Sequence, residues 1–240
     1  MQTNEKNTKD NLIQTENLTK IFVLGSEKVF ALNGVDLSIK KGDICAVLGT
    51  SGSGKSTLLN MLAGLDKPSG GKIIIGGHRI DKMNEKQLVS FRQKYTGFVF
   101  QSYNLIPSMT ALENVAMPLM FRGVDKKERE ERALEMLRLV GLENRKDHKP
   151  AEMSGGQQQR VGIARAFVSN PRIIFADEPT GNLDSKTTVE VMNLIKKLVH
   201  ENHQTMVLVT HDESVAQYAD CVIRMMDGKI TDITNPQQEI

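Results

Sequence analysis

The chain has 240 residues, 39% of them apolar and 25% charged, the composition of an ordinary soluble globular protein with room for one large domain or two small ones. Its 31 basic and 29 acidic residues leave a net charge of +2, too balanced for an extended nucleic-acid surface or an anionic-membrane patch. Cys45 and Cys221 both sit in apolar segments and read as small core residues of a reducing compartment, and no apolar run approaches the ~20 residues that span a bilayer.

Residues 1–10 are polar, lack the apolar core of a signal peptide, and are expected to form a disordered tail before a single domain over 11–240. Residues 12–22 and 29–39 read as strands around a turn containing Gly25, Ser26, Glu27 and Lys28, giving an antiparallel β layer. Phe22, at its edge, either stacks on a purine base or packs inside that layer. The apolar run Ile44, Cys45, Ala46, Val47, Leu48 then leads into Gly49, Thr50, Ser51, Gly52, Ser53, Gly54, Lys55, Ser56 and Thr57. A buried strand, a glycine-rich turn and an amphipathic helix in that order cradle phosphates, because glycines let backbone N–H groups converge and the helix N-terminus adds unpaired donors. Lys55 supplies a cation for the terminal phosphates, and Ser56 a hydroxyl for a phosphate-bound Mg²⁺, so the chain is expected to bind a nucleoside triphosphate.

Residues 72–75 read as a strand and 84–94 as a helix with Asn84 and Gln87 in a capping box. The buried strand 97–100 ends at Gln101, a position suited to a ligand contact, although without the surrounding pattern such a residue reads more readily as a surface loop glutamine. From there the pattern turns helical, with an expected helical insertion over about 103–168. Helices are predicted over 110–119 and 125–140, the second with an Asp125 and Glu128 capping box, an apolar stripe of Leu134, Leu137 and Val140, and Gly141 as its stop. Ser154, Gly155, Gly156 and Gln157 open another helix whose accessible N–H groups make a second candidate anion site.

The strand 173–177 ends in Asp177 and Glu178 before Pro179. Downstream of a phosphate loop, Asp177 is placed as the Mg²⁺-side carboxylate and Glu178 as the group that polarises the attacking water. After a turn over 180–184 and a helix over 186–200, the apolar strand 206–209 ends at Thr210 and His211, on the edge where α/β sheets meet ligands. A hairpin through Asp227 and Gly228 closes the fold.

Together these residues resemble the ATP-binding-cassette ATPases over nearly the whole chain. The phosphate loop from Gly49 to Ser56, the glutamine of the glutamine loop at Gln101, the signature Ser154 to Gln157, the acidic pair Asp177 and Glu178, and the switch histidine His211 occur in the family's order, and the turn Asn182, Leu183, Asp184 resembles its dimer-contact loop. Phe22 stands where the family has an adenine-stacking aromatic, often tyrosine, and Met153 replaces the usual leucine before the signature. The resemblance implies an α/β fold: a P-loop NTPase core with an N-terminal antiparallel β layer and a helical insertion. It implies ATP and Mg²⁺ as ligands, with Gln101 joining Ser56 and Asp177 around the metal and Gln101, Lys55, Glu178 and His211 serving catalysis.

It further implies a head-to-tail dimer of two copies, the signature of one completing the phosphate site of the other. Finer matches, such as Asn104 to Pro107 and Pro179 to Ser185, resemble the branch of macrolide exporters, lipoprotein-release complexes, bacitracin-type peptide-resistance transporters and the cell-division pair. That branch implies a cytoplasmic ATPase held on the inner face of the membrane by a permease subunit with an extracytoplasmic domain. Its cell-division members allow an alternative, a nucleotide-gated scaffold with little turnover. Soluble cassettes that act on DNA or ribosomes carry coiled coils or two cassettes, and this chain has neither. Tyr103, Leu105, Ile106 and Met109 are apolar in excess of a solvated loop, and they either form a groove for a partner's helix or pack the insertion onto the core.

Overall fold

The computed structural model describes residues 10–235 and divides the chain into two compact units. One is built from residues up to Val89 and from Val209 onward, the other from Ser90–Leu208. Apart from Asp10, whose carbonyl accepts from Lys41 N at 2.9 Å, the expected tail over 1–10 lies outside the described residues.

The first unit opens on two long strands, β1 (Asn11–Leu24) and β2 (Glu27–Lys40), joined by a turn of only Gly25 and Ser26. Glu27 and Lys28, expected in the turn, are in β2, because Leu24 pairs with Glu27 and Val23 with Lys28 in the antiparallel ladder. Leu32, Val35, Leu37 and Ile39 are buried while their neighbours face outward, the alternation of a half-buried sheet. The strands β4 (Gly70–Ile75) and β5 (His78–Arg79) complete the order β2-β1-β4-β5, with β1 bulged around Asn17.

The same unit carries β3 (Ile44–Leu48), buried at every residue and parallel to β9 (Cys221–Met226). Between Asp227 and Gly228, both at positive φ, the chain reverses into β10 (Lys229–Thr234), the backbone a two-residue hairpin turn requires. Helix α1 (Lys55–Leu62) follows β3 and buries Leu58, Leu59, Met61 and Leu62. Cys45 and Cys221 are free and are register partners on β3 and β9.

Helix α2 (Glu85–Tyr95) begins with the expected box: Asn84 N donates to Gln87 Oε1 at 2.9 Å and Gln87 N to Asn84 Oδ1 at 3.0 Å. The division between the units falls within α2 and within β8 (Thr205–Thr210), whose six residues are all buried. In the second unit β6 (Thr96–Phe100) and β7 (Ile173–Asp177) are parallel neighbours, in the order β8-β7-β6.

Around them are α3 (Ala111–Phe121), α4 (Lys126–Leu139), α5 (Gly155–Phe167) and α6 (Ser185–Glu201). Val115, Leu119, Ala133, Leu137, Val161 and Ala164 form one buried cluster shared by α3, α4 and α5. Helix α4 departs from its predicted cap. Asp125 accepts from Lys127 N, and Glu128 turns away to pair with Arg132 at 3.4 Å, one turn along, so no reciprocal box forms. No helix among the described residues is long and apolar enough to cross a membrane.

Candidate functional site

In the first unit the phosphate loop is shaped by what surrounds it. Gly54 caps α1 at φ +99, a conformation that costs glycine little, and a Cβ there would lie 2.4 Å from Ala31 O. Gly49 is as tightly held, its Cβ position lying 2.4 Å from Met225 O, whereas Gly52, at φ +81, has nothing within 4 Å. Gly228 N donates to Ser53 O at 3.0 Å, so the β9–β10 turn and β2 fix the loop from outside. Neither of these supports is legible in the loop's own sequence.

The loop presents the groups an anion needs. No side chain caps α1 and no acidic residue lies in its first turn, so the helix N-terminus keeps its positive end open. Lys55 is buried and its Nζ donates to Thr50 O at 2.8 Å, which holds the ammonium over the loop. Ser53 Oγ is buried without a hydrogen-bond partner, a costly state for a hydroxyl unless a ligand or water meets it. Ser51 and Ser56 are exposed and Thr57 is half-buried. These features fit a phosphate group.

Two further residues of this unit lie outside the loop. Phe22 is 40% exposed on β1, with Lys20 Nζ 5.1 Å from its ring centroid and Lys20 paired to Asp66 at 2.7 Å. The ring is therefore not packed inside the β layer. His211 is exposed just after β8, where Asp212 caps the short α7 (Glu213–Ala216) and hydrogen bonds from Ser214 hold its carboxyl below the usual range.

In the second unit Gln101, Glu178 and the turn after them come together. A Cβ on Gly181 would lie 2.7 Å from Gln101 Nε2 and 3.2 Å from Glu178 Oε2, so both side chains run alongside that glycine. Asn182 Nδ2 donates to Gln101 O at 3.0 Å, joining the dimer-contact turn to the strand end at β6. Glu178 itself has φ +43. Asp177 is half-buried at the end of β7, in register with Phe100. Its carboxylate is a hard oxygen donor of the kind Mg²⁺ takes, as is the Ser56 hydroxyl within the first unit. Among the described residues there is no cluster of three or more His, Cys, Asp or Glu that could hold a metal.

Ser154 and Gln157 form the capping box of α5, with Ser154 N to Gln157 Oε1 at 3.0 Å and Gln157 N to Ser154 Oγ at 3.3 Å. Gly155 and Gly156 have a role inside the chain as well as open N–H groups. A Cβ would lie 2.8 Å from Tyr103 Oη at the first and 2.8 Å from Thr187 Cγ2 at the second.

The chain after Gln101 is held by polar residues that sequence reasoning missed. Tyr103 and Asn104 are both left-handed, at φ 60 and 48, and the buried Arg165 of α5 donates to their carbonyls at 2.8 and 2.6 Å. Burial lowers the proton affinity of that guanidinium. Asn114, fully buried on α3, accepts from Ile106 N at 2.8 Å and donates towards the carbonyls of Ile106, Met109 and Thr110 at 3.0–3.2 Å. Tyr103, Leu105, Ile106 and Met109 are half-buried, Leu105 against the helical cluster, so packing accounts for much of their apolar surface.

Known proteins similar to this chain show its family. The family model described as "ABC transporter" matches residues 32–181, more than half of the chain. The lipoprotein-releasing system ATP-binding protein LolD of Legionella pneumophila (strain Paris) is 47% identical over 221 residues, covering 92% of this chain and 97% of LolD. The macrolide export ATP-binding/permease protein MacB of Vibrio parahaemolyticus is 47% identical over 229 residues, covering 95% of this chain but 35% of MacB. Among solved structures, a dimeric post-hydrolysis state of the ATP-binding cassette MJ0796 bound to ADP and Pi superposes with a TM-score of 0.87 at 45% identity, covering 93% of this chain and 98% of that one. MJ0796 belongs to Methanocaldococcus jannaschii. A phosphate cradle after a buried strand, an acidic strand end beside a glutamine loop and a capped signature helix thus occur in a chain that belongs to the ABC transporter ATPases.

Proposed function

We propose that this ATPase is the nucleotide-driven subunit of a membrane complex and works as a pair of copies that close around ATP. The observation that carries nucleotide binding is the phosphate loop, with its uncapped helix N-terminus, the folded-in Lys55 and the buried, unpartnered Ser53 Oγ. In this reading the N–H groups from Gly49 to Thr57 and the Lys55 ammonium hold the phosphates, and Phe22 offers its exposed ring to the base. Ser56, Asp177 and Gln101 hold Mg²⁺, which when bound offsets the negative charge of the phosphates. Glu178 accepts the proton of the attacking water, and His211 donates to the terminal phosphate.

Two findings support the assembly. The solved relative MJ0796 is dimeric with ADP and Pi, which favours a head-to-tail pair in which Ser154, Gly155, Gly156 and Gln157 of one copy meet the nucleotide of the other. MacB is named as both ATP-binding and permease protein, which favours a membrane permease as the partner of this cassette and a place on the inner face of the membrane. The coupled work is then export or the release of a lipoprotein or peptide.

Replacing Glu178 by Gln keeps the shape and removes the base. Turnover should fall by ~10²–10⁴ with ATP binding retained. Measured by phosphate release and nucleotide titration, near-normal turnover would remove Glu178 from the base role.

A further inference from the structure

The backbone at the proposed general base is in a doubly disfavoured state. Glu178 has φ +43, where a side chain with a Cβ is crowded, and it precedes Pro179, whose ring pushes the residue before it towards extended backbone. Such a conformation persists only where its surroundings over-determine it. Two contacts do so here. Gly181 N donates to Glu178 O at 3.1 Å, and the next carbonyl, that of Pro179, accepts from Gln159 Nε2.

Gln159 lies on the signature helix α5, two residues past Gln157, and is fully buried. Only half of its amide is used: Oε1 is buried without a hydrogen-bond partner. An apolar side chain of the same size would relieve that penalty but leave the buried Pro179 carbonyl without its donor, so the amide is matched to that one carbonyl rather than to the packing around it. Its donor is spent on one carbonyl, a single peptide away from Glu178.

From this we infer that Gln159 is a positioning residue for hydrolysis, its buried amide fixing the Glu178–Pro179 peptide and hence the direction of the Glu178 carboxylate. The inference rests on the reading of Glu178 as the base. Because the same helix begins with the signature, the residue also ties the position of α5 to the aim of the carboxylate within one chain.

The test is Gln159→Leu, which removes the donor and keeps the volume, with Gln159→Met as a second apolar form should Leu fold poorly. The expected result is a kcat lower by ~10–100-fold, as for a misaimed catalytic group, with KM for ATP and ATP affinity within about two-fold. The thermal midpoint should change little, because relief of the unpartnered Oε1 opposes the loss of the donor to Pro179 O. In a Glu178→Gln background the same substitution should lower turnover no further. A kcat within about two-fold of wild type, in a protein whose Glu178→Gln variant is inactive, overturns the inference and leaves the base reading intact. So does a kcat loss matched by equal losses of ATP affinity and thermal midpoint. Near-normal turnover of Glu178→Gln itself removes both.

Discussion

The phosphate loop and the two turns that follow β6 and β7 solve the same backbone problem by different means. Each needs left-handed residues. In the loop these are glycines, Gly52 at +81 and Gly54 at +99, and the conformation is nearly free of strain. After β6 and β7 they are Tyr103, Asn104 and Glu178, where the same backbone costs about 1–3 kcal/mol per residue. Buried polar side chains hold that second group: Arg165 on Tyr103 and Asn104, Asn114 on the loop behind them, and Gln159 beside Glu178. A station made of glycine keeps its shape through local chemistry. A station made of strained side-chain-bearing residues depends on the helices that clamp it, so it can respond when those helices shift.

This contrast can be broken in order of expected effect. Asn114→Ala removes the amide that accepts from Ile106 N and shares its two N–H groups among three carbonyls, and it should lower unfolding free energy by about 2–4 kcal/mol in a urea titration. A loss below about 0.5 kcal/mol, the range of a neutral surface change, would mean the loop needs no clamp. Lys55→Ala should act in the opposite way. Fold stability stays near wild type because glycines and the flanking turn shape the loop, while nucleotide affinity falls ~10–100-fold with the loss of one charged hydrogen bond. Calorimetric titration with ATP reads this directly, and an unchanged affinity would leave Lys55 without a phosphate.

The smallest effect lies at Asp81, on the short turn of helix just after β5. Hydrogen bonds from the Arg79 guanidinium first, and then from Ile73 N, hold the Asp81 carboxyl below the usual carboxylate range against an opposing burial effect. A lowered folded value means the ionised form contributes stability above the unfolded value of about 3.9, and the contribution is lost as pH falls through the folded value. Asp81→Asn should therefore flatten the fall in stability below pH ~4 and leave nucleotide affinity unchanged. An equally steep acid limb in the variant would assign it to other carboxylates.

How much of this was legible in the sequence follows the same division. Glycine spacing, a strand ending in two carboxylates, and the caps at Asn84 and Ser154 are local patterns, and each appears where its residues place it. The capping box at Asp125 failed because Glu128 had a competing partner one turn on, Arg132, that residue spacing alone does not rank. Gln159, Arg165 and Asn114 were invisible for a different reason. By residue type they belong on a surface, and only tertiary packing shows that they are buried and aimed at strained backbone. Local sequence shows Gly155 and Gly156 only as open N–H groups, whereas their close approach to Tyr103 and Thr187 is set by tertiary packing.

The proposed closure of two copies of the chain around ATP can be read from the molar mass of Glu178→Gln in solution, measured by light scattering with ATP and Mg²⁺ and then with ADP and Mg²⁺. The expected result is a dimer with ATP and a monomer with ADP, and a monomer with either nucleotide once Ser154→Arg is added to block the signature. A monomer with saturating ATP in Glu178→Gln, or a dimer that forms equally with ADP and survives Ser154→Arg, would contradict it.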